Sequence, residues 1–531
     1  MKSNMANVLR CTPADKIVTG WDFSTGSVKC LAFDLAGQKV AEVRLPTDLY
    51  RGPIQGDRLL EPGTFELSLL QLEGQARATT RAMAARLRDL GRLKHWVAGG
   101  ISATHHTAGR IDRDYAQVRR AICWNDSTLT EYHQTGLERL GGQAAVQKLI
   151  GGPWAVRYSL SHLVKDETHL SAEDWKRTFR MLPHGALAAG FLTGNFNACS
   201  VSVAASTGLM DFKKKKWAKG MLNALANPEY RKLAWNQLPD IIDQYDALGP
   251  LSEHVALDAG IDSRKRPLIY PTSDDQQAGL IGGGAVDAGQ VAIILGNSAV
   301  VNSSSKSTPT GGTLDVMRLN WGPYLWMRCY SNGAQFLDQV VGQKPDWKSL
   351  EAAADKLSPG SQGAAVWPFV QPEPSLGISA AQANLKWFGA EPKEPGQRFR
   401  AALEGLAYLI ALGVREHEQA GQKIRRITVS GGIARSDLMC RILASVLQRP
   451  VSRLESDEGP ALGAAVTALA AYETHLRRDK GIAEDCEMSE AVACMVRFKD
   501  VVEPVSGWVG AYQSELRDFE KRLAAAVGAR P

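Results

Sequence analysis

A chain of 531 residues, 44% hydrophobic and 22% charged, has the balance of a soluble globular protein, which excludes a mainly disordered chain, a collagen-like chain and a disulfide scaffold. Its length fits three to four units of about 150 residues or two large lobes. The 62 Lys and Arg against 56 Asp and Glu leave a net charge of +6, too thinly spread for a nucleic-acid-binding face and no obstacle to an anionic substrate.

The densest basic run, Lys213-Lys214-Lys215-Lys216, lies between Phe212 and Trp217 and reads as a solvated turn. The eight cysteines form no Cys-x-x-Cys pair, so reduced, mostly buried thiols of a cytoplasmic protein are expected. Residues 1–14 lack the apolar core of a secretory signal, and no apolar stretch reaches the roughly 18–20 residues of a membrane span. Neither a nucleic acid nor a membrane is therefore expected as a partner.

In chain order, Ile17-Val18-Thr19-Gly20-Trp21-Asp22 reads as a buried strand and Phe23-Ser24-Thr25-Gly26-Ser27 as a polar turn. Residues 28–34 and 39–43 complete a three-strand meander. Apolar residues at three- and four-residue spacings predict a helix over 65–93. A short strand over 97–103 then runs into Thr104-His105-His106-Thr107. This β-β-β-α-β order places polar groups at strand ends, where open α/β sheets bind ligands. His105 reads as an ordinary strand-end residue. The main boundary falls near residues 258–266, dividing the chain into 1–262 and 263–531.

The second part opens with the strand Pro267-Leu268-Ile269-Tyr270, followed by Asp274-Asp275-Gln276-Gln277 and a segment rich in Gly and Ala. A strand over 291–295 turns at Gly296-Asn297-Ser298 and returns over 299–302, a weak echo of the first hairpin. Residues 303–312 and 391–396 read as surface loops, 398–420 as a helix and 424–429 as a strand. An amphipathic helix over 508–527 is expected to pack back on the body.

Three segments carry chemistry. In Val429-Ser430-Gly431-Gly432 a strand enters a Gly-Gly turn, with a helix starting at about Ser436 or Asp437. Missing Cβ atoms let a flat ligand or a phosphate approach the backbone, and the helix start offers N–H groups. The small residues of 458–465 suit a helix packed very close to its neighbour. Asp274 and Asp275 read as a general base or as a helix cap, and both hold together if one caps while the other faces the ligand. Asp22 beside Ser24, Thr25, Gly26 and Lys29 reads either as a Mg²⁺ and phosphate site or as an ordinary hairpin turn.

Taken in order, these segments resemble the FGGY family of carbohydrate kinases, together with Ile122-Cys123-Trp124-Asn125-Asp126, Leu192-Thr193-Gly194 and Ser206-Thr207-Gly208-Leu209-Met210-Asp211. The resemblance spans roughly residues 17–470. It implies an α/β, two-lobed actin- and hexokinase-like ATPase fold, of two ribonuclease H-like domains with a cleft between. The N-terminal domain would bind mainly sugar and carry the first phosphate loop, and the C-terminal domain would bind mainly ATP.

The resemblance makes Asp275 the catalytic base and Asp22 the residue that helps position Mg²⁺. It makes Ser24, Thr25, Gly26 and Lys29 the first phosphate loop, Gly296 and Asn297 the second, and Gly431 and Gly432 the wall for adenine and ribose. His106, Trp124, Arg157 and Gln276, with Asp275, would line the sugar pocket, His106 and Arg157 being similar in context to sugar contacts of xylulose kinases. ATP and Mg²⁺ are the implied cofactors, a small sugar the partner, and a homodimer the assembly considered.

The chain also departs from the family pattern. Asn297 stands where Thr is usual, Gly185 where Asp is frequent, Gln371-Pro372-Glu373-Pro374 lacks an Arg, and Ser273-Asp274 replaces glycines before the base. The leading expectation is an ATP-dependent kinase that converts D-xylulose to D-xylulose 5-phosphate. Its alternatives are a kinase for ribulose or another ketose or polyol, and a catalytically weak sensor of the same fold.

Overall fold

A computed structural model describes residues 9–53, 60–271, 273–342 and 345–528. The chain divides into two compact units. One comprises Met1–Gly282, Val316–Tyr324 and Pro460–Val496, and the other Gly283–Asp315, Leu325–Gly459 and Arg497–Pro531.

The first unit opens with strands β1 (Ile17–Phe23), β2 (Ser27–Asp34) and β3 (Lys39–Pro46), an antiparallel meander. Helix α1 (Leu69–Asp89) then crosses to β4 (Trp96–Ala103), which lies parallel to β1. A parallel neighbour needs such a crossover, whereas the meander needs only tight turns. The helix expected over 65–93 is shorter at both ends. Phe65-Glu66-Leu67 is a strand paired with Ala121 and Ile122, and the Ser68 side chain accepts from the Gln71 N–H, so the helix starts after it. Arg86 and Arg88 sit in the last turn, where they complement the helix dipole. The lysine run at 213–216 is a tight turn, with Lys215 in the left-handed region at φ 53°.

Strands β5 (Leu268–Ile269) and β6 (Ser273–Asp274) both lie parallel to β4, and helix α2 (Asp275–Gly282) follows β6 without a break. The carboxyl ends of β1, β4 and β6 thus share one edge of the sheet. The helix Gly459–Asp479 packs against these elements backbone to backbone. A Cβ on Gly20 would lie 1.8 Å from the Ala461 carbonyl oxygen, and one on Gly463 would lie 1.9 Å from that of Ala278. The small-residue run at 458–465 is therefore a close-packing device.

The second unit repeats the arrangement. Strand β7 (Gln290–Leu295) is antiparallel to β8 (Ala299–Ser305) and, after helix α3 (Pro395–Gln419), parallel to β9 (Arg426–Ser430). Helix α4 (Asp437–Leu447) leads to β10 (Val451–Leu454), parallel to β9, and β11 (Phe498–Val502) closes the edge antiparallel to β10. The hairpin echo that is weak in sequence is thus a repeat of topology. The surface loop expected over 303–312 starts later, because Ser303, Ser304 and Ser305 are the buried end of β8, with Ser303 opposite Val291. Residues 391–394 do form an irregular segment, and Pro395 starts α3.

Helix α5 (Ser506–Gly528) buries Tyr512, Leu516 and Phe519 in the core of this unit, as its amphipathic pattern predicts. It is pinned to α3 by a buried network: Arg400 pairs with Glu404 at 3.0 Å, the Tyr512 hydroxyl accepts from Arg400 at 2.8 Å, and it donates to Glu404 at 3.0 Å. None of the eight cysteines is in a disulfide. Among the described residues, no helix is long and apolar enough to cross a membrane.

Candidate active site

In the first unit the functional side chains gather where β1, β4 and β6 end. Asp22 stands opposite Ser102, whose hydroxyl donates to its carboxylate at 3.0 Å. Asp275 is the first residue of α2, and its Oδ1 accepts from the His105 N–H at 3.2 Å. Burial, then the charges of Asp274 and Asp22, push the Asp275 carboxyl up to about 8, against the pull of the His105 N–H and of Gln276. The residue stays partly accessible.

The adjacent acid has the other task. Asp274 Oδ1 accepts from the N–H groups of Gln276 at 3.0 Å and Gln277 at 2.9 Å, which caps α2, and the Ser202 hydroxyl donates to its Oδ2. The support extends further. Gln277 donates to Ser273 Oγ at 2.7 Å and accepts from the Asn320 N–H at 2.8 Å, while Asn320 accepts from the Ser202 N–H at 2.7 Å. Asp274 thus caps α2, while Asp275 meets the His105 N–H. Ser202 and Asn320 belong to no motif, so sequence reasoning did not find them. His105 was underweighted for the same reason: only the fold puts its N–H on Asp275.

His105 and His106 stack with ring centroids 3.7 Å apart, and His106 stacks on Tyr158 at 4.3 Å. His106 has φ 61° and its Nδ1 lies 2.8 Å from the Ser206 carbonyl oxygen. Burial, then His105 and Arg157, hold its imidazole well below the usual range, so it is neutral. Its Nε2 is buried without a protein partner, which a ligand hydroxyl can supply. Trp124 is 37% exposed. The pairing of Ala108 with Ile122 brings it to the end of the sheet that His106 also occupies. Arg157 is half-buried and near enough to depress His106.

The first hairpin turn is held by the Ser24 N–H and hydroxyl, which both donate to the Ser27 carbonyl oxygen, at 3.0 and 2.8 Å. Thr25 is half-buried and Gly26 exposed, while Lys29 stands opposite Asp22 in the strand register. Ligand atoms of His105, Asp274 and Asp275 lie within 4.8 Å of one another, and Asp22 acts on the same carboxyl. A site where carboxylates oppose one another's charge fits a hard, oxygen-seeking cation such as Mg²⁺.

In the second unit, two glycine turns meet at the ends of β7 and β9. A Cβ on Gly431, at φ 95°, would lie 2.3 Å from the Leu295 carbonyl oxygen, directly before Gly296. The Ala334 N–H donates to the Gly296 carbonyl oxygen at 2.9 Å, and a Cβ on Gly333 would meet Asn297 O at 2.6 Å. Asn297 is exposed, and no atom approaches the Cβ position of Gly432 within 4 Å, so that face is open. The helix start expected at Ser436 or Asp437 is present, but several of its N–H groups are taken. Ser436 Oγ accepts from the Met439 N–H at 3.0 Å, and Glu351 accepts from the Leu438 N–H at 2.9 Å.

Two family models align with these halves: the FGGY N-terminal domain over residues 17–282 and the FGGY C-terminal domain over 291–472. The chain belongs to the FGGY family of carbohydrate kinases. It is an ATP-dependent sugar kinase, with the two-domain actin- and hexokinase-like fold of its solved neighbours. The xylulose kinase of Escherichia coli K12 is 29% identical over 402 residues, which cover 73% of this chain and 78% of the relative. Two solved structures from Lactobacillus acidophilus share the fold. A gluconate kinase has a TM-score of 0.79 at 18% identity, covering 97% of this chain and 98% of its own. A ligand-bound xylulose kinase has 0.78 at 18%, covering 97% and 99%. Fold similarity is thus equal for two different sugars and does not select between them.

Proposed function

We propose that this FGGY kinase transfers the γ-phosphoryl group of ATP to the 5-hydroxyl of D-xylulose, giving D-xylulose 5-phosphate. The observation that carries the chemistry is the desolvated Asp275 carboxyl, held by the His105 N–H beside a neutral His106. The sugar assignment is supported by xylulose kinases among the relatives, including that of E. coli, and by His106 and Arg157.

A sugar hydroxyl is a weak nucleophile until its proton is taken. As the oxygen attacks the γ-phosphorus, the proton passes to Asp275, whose raised pKa matches a base working near neutral pH, and ADP departs. His106 Nε2 takes a substrate hydroxyl, Trp124 and Arg157 complete the sugar pocket, and Gln276 holds the base. Residues 1–262 provide His106, Trp124, Arg157 and the first phosphate loop, Ser24, Thr25, Gly26 and Lys29. Residues 263–531 bind ATP through Gly296 and Asn297, with Gly431 and Gly432 against adenine and ribose. Asp22 would hold Mg²⁺, which when bound neutralises phosphate charge. The setting proposed is the cytoplasm, where ATP and free thiols both occur.

The test is ADP release with Mg-ATP across a panel of ketoses and polyols. Turnover greatest with D-xylulose is expected. Turnover led by ribulose or another polyol would keep the mechanism and replace the sugar. ATP binding without sugar-dependent turnover would favour the weak sensor, the reading that Asn297 in the second phosphate loop motivates.

A further inference from the structure

Away from this site, the first unit contains a cavity of about 220 Å³ lined by Thr64, Glu66, Arg119, Ile122, Lys165 and Asp166, among others. Its polar groups are unevenly satisfied. Asp166 is buried between two guanidinium groups, Arg110 at 2.7 Å and Arg119 at 2.8 Å. Arg110 is fully buried, with its Cζ over the Trp175 ring at 4.0 Å from the centroid. Glu66 is taken by Arg120 at 3.3 Å. The remaining acid on the wall, Glu61, is exposed and lies 3.7 Å from His169.

Asp166 and Glu66 thus already face guanidinium groups, and donors without an acceptor remain. Lys165 is only 6% exposed, and its ammonium donates to a single neutral acceptor, the Thr128 hydroxyl, at 2.5 Å. Asp126 is reached only through that hydroxyl, which donates onward to it. Among the described residues Lys165 makes no ion pair. Arg119 faces Asp166 as an ion pair without a hydrogen bond, donates from Nη1 to two carbonyl oxygens at 2.6 and 3.2 Å, and buries both Nε and Nη2 without a hydrogen-bond partner.

An ammonium this deep without a counter-ion is costly unless an anion joins it. A planar guanidinium with a spare N–H beside it supplies the geometry that a tetrahedral oxyanion takes. We propose that this cavity is a second ligand site of the kinase, binding a phosphate group through Lys165 and Arg119. Inorganic phosphate and the phosphate of a pentose 5-phosphate present the same oxyanion, and the experiment separates them.

Amide hydrogen exchange of the whole protein, with and without inorganic phosphate or ribose 5-phosphate, reads the site locally. Either ligand should protect the strand Gln117–Ile122 and the helix Ser159–His169 in the wild type. In Lys165→Gln, which removes the charge and keeps a donor amide one atom shorter, the concentration needed should rise at least tenfold. Protection at equal concentrations of both assigns the site to the free ion. Protection at a much lower concentration of the pentose 5-phosphate assigns it to the sugar phosphate. Arg119→Lys, which keeps the charge and loses the fork, should weaken binding as well and stands in if Lys165→Gln does not fold. The proposal is overturned if neither ligand protects these elements in the wild type, or if protection persists unchanged in both variants.

Discussion

Replacing Asp275 by Asn should inactivate the enzyme and stabilise it. The carboxyl, ordinarily near 3.8, is raised to about 8 by burial and by the charges of Asp274 and Asp22. Between those two values the folded protein holds a proton that the unfolded chain has released. Stability from this group is therefore fully present at low pH and falls as pH rises from about 4 to about 8, by about 1.4 kcal/mol per pH unit. Three such units separate pH 4 from pH 7, so the wild type carries a penalty of up to about 4 kcal/mol at pH 7. The amide of Asn keeps an acceptor for the His105 N–H and carries no charge, so the variant escapes most of this. Because the residue is partly accessible, water relieves some of the cost, and a gain of about 2 kcal/mol is the working figure. The assay is thermal and urea unfolding of both proteins at pH 5, 6, 7 and 8, without nucleotide or metal. The variant should melt higher by about 2 °C at pH 7, with a difference that grows with pH, while kcat falls by about 10²–10⁴-fold. A melting difference that is negative, or that does not change between pH 5 and pH 8, would refute the idea that this carboxyl is held protonated.

The same carboxyl predicts that kcat/KM for the sugar climbs as pH rises from 6 toward 8, since Asp275 must lose its proton before it can accept one; a flat profile over that range would count against it as the base. Ser202→Ala removes the donor to Asp274 and loosens the start of α2, so kcat should drop about tenfold with KM for ATP little changed, measured by steady-state kinetics. Gly463→Val would drive side-chain atoms into the Ala278 carbonyl and displace α2, costing about 3 kcal/mol or more by denaturant unfolding and much of the activity; near-wild-type stability would contradict the close packing. Glu404→Ala leaves Arg400 buried without its acid and should cost about 3–5 kcal/mol, while Glu404→Gln with Tyr512 intact should cost less.

The elements that local pattern predicts best are those whose physics is local. The β1–β2 hairpin follows from alternation around a polar turn, α3 from helical spacing after Pro395, and α5 from an amphipathic stripe. Two errors came from segments whose state is set by distant partners. Phe65-Glu66-Leu67 carries helical spacing, yet pairing with Ala121 and Ile122 makes it a strand. Ser303, Ser304 and Ser305 have loop composition, yet the β7 ladder takes them into the core. Ordered motifs along the chain made the family legible without any structure, because backbone approach to phosphate demands glycine and a base at a strand end demands a carboxylate.

Tertiary structure decided what each group touches. Residue chemistry alone lets either Asp274 or Asp275 cap a helix or take a proton, and only the family resemblance puts the base on Asp275. Ser202, 72 residues away, fixes Asp274 as the cap, and His105, 170 residues away, meets Asp275. A charge becomes costly only when the fold removes water from it. For that reason the raised pKa of Asp275, the neutrality of His106 and the Lys165 ammonium without an ion pair among the described residues are properties of burial that composition and spacing do not encode.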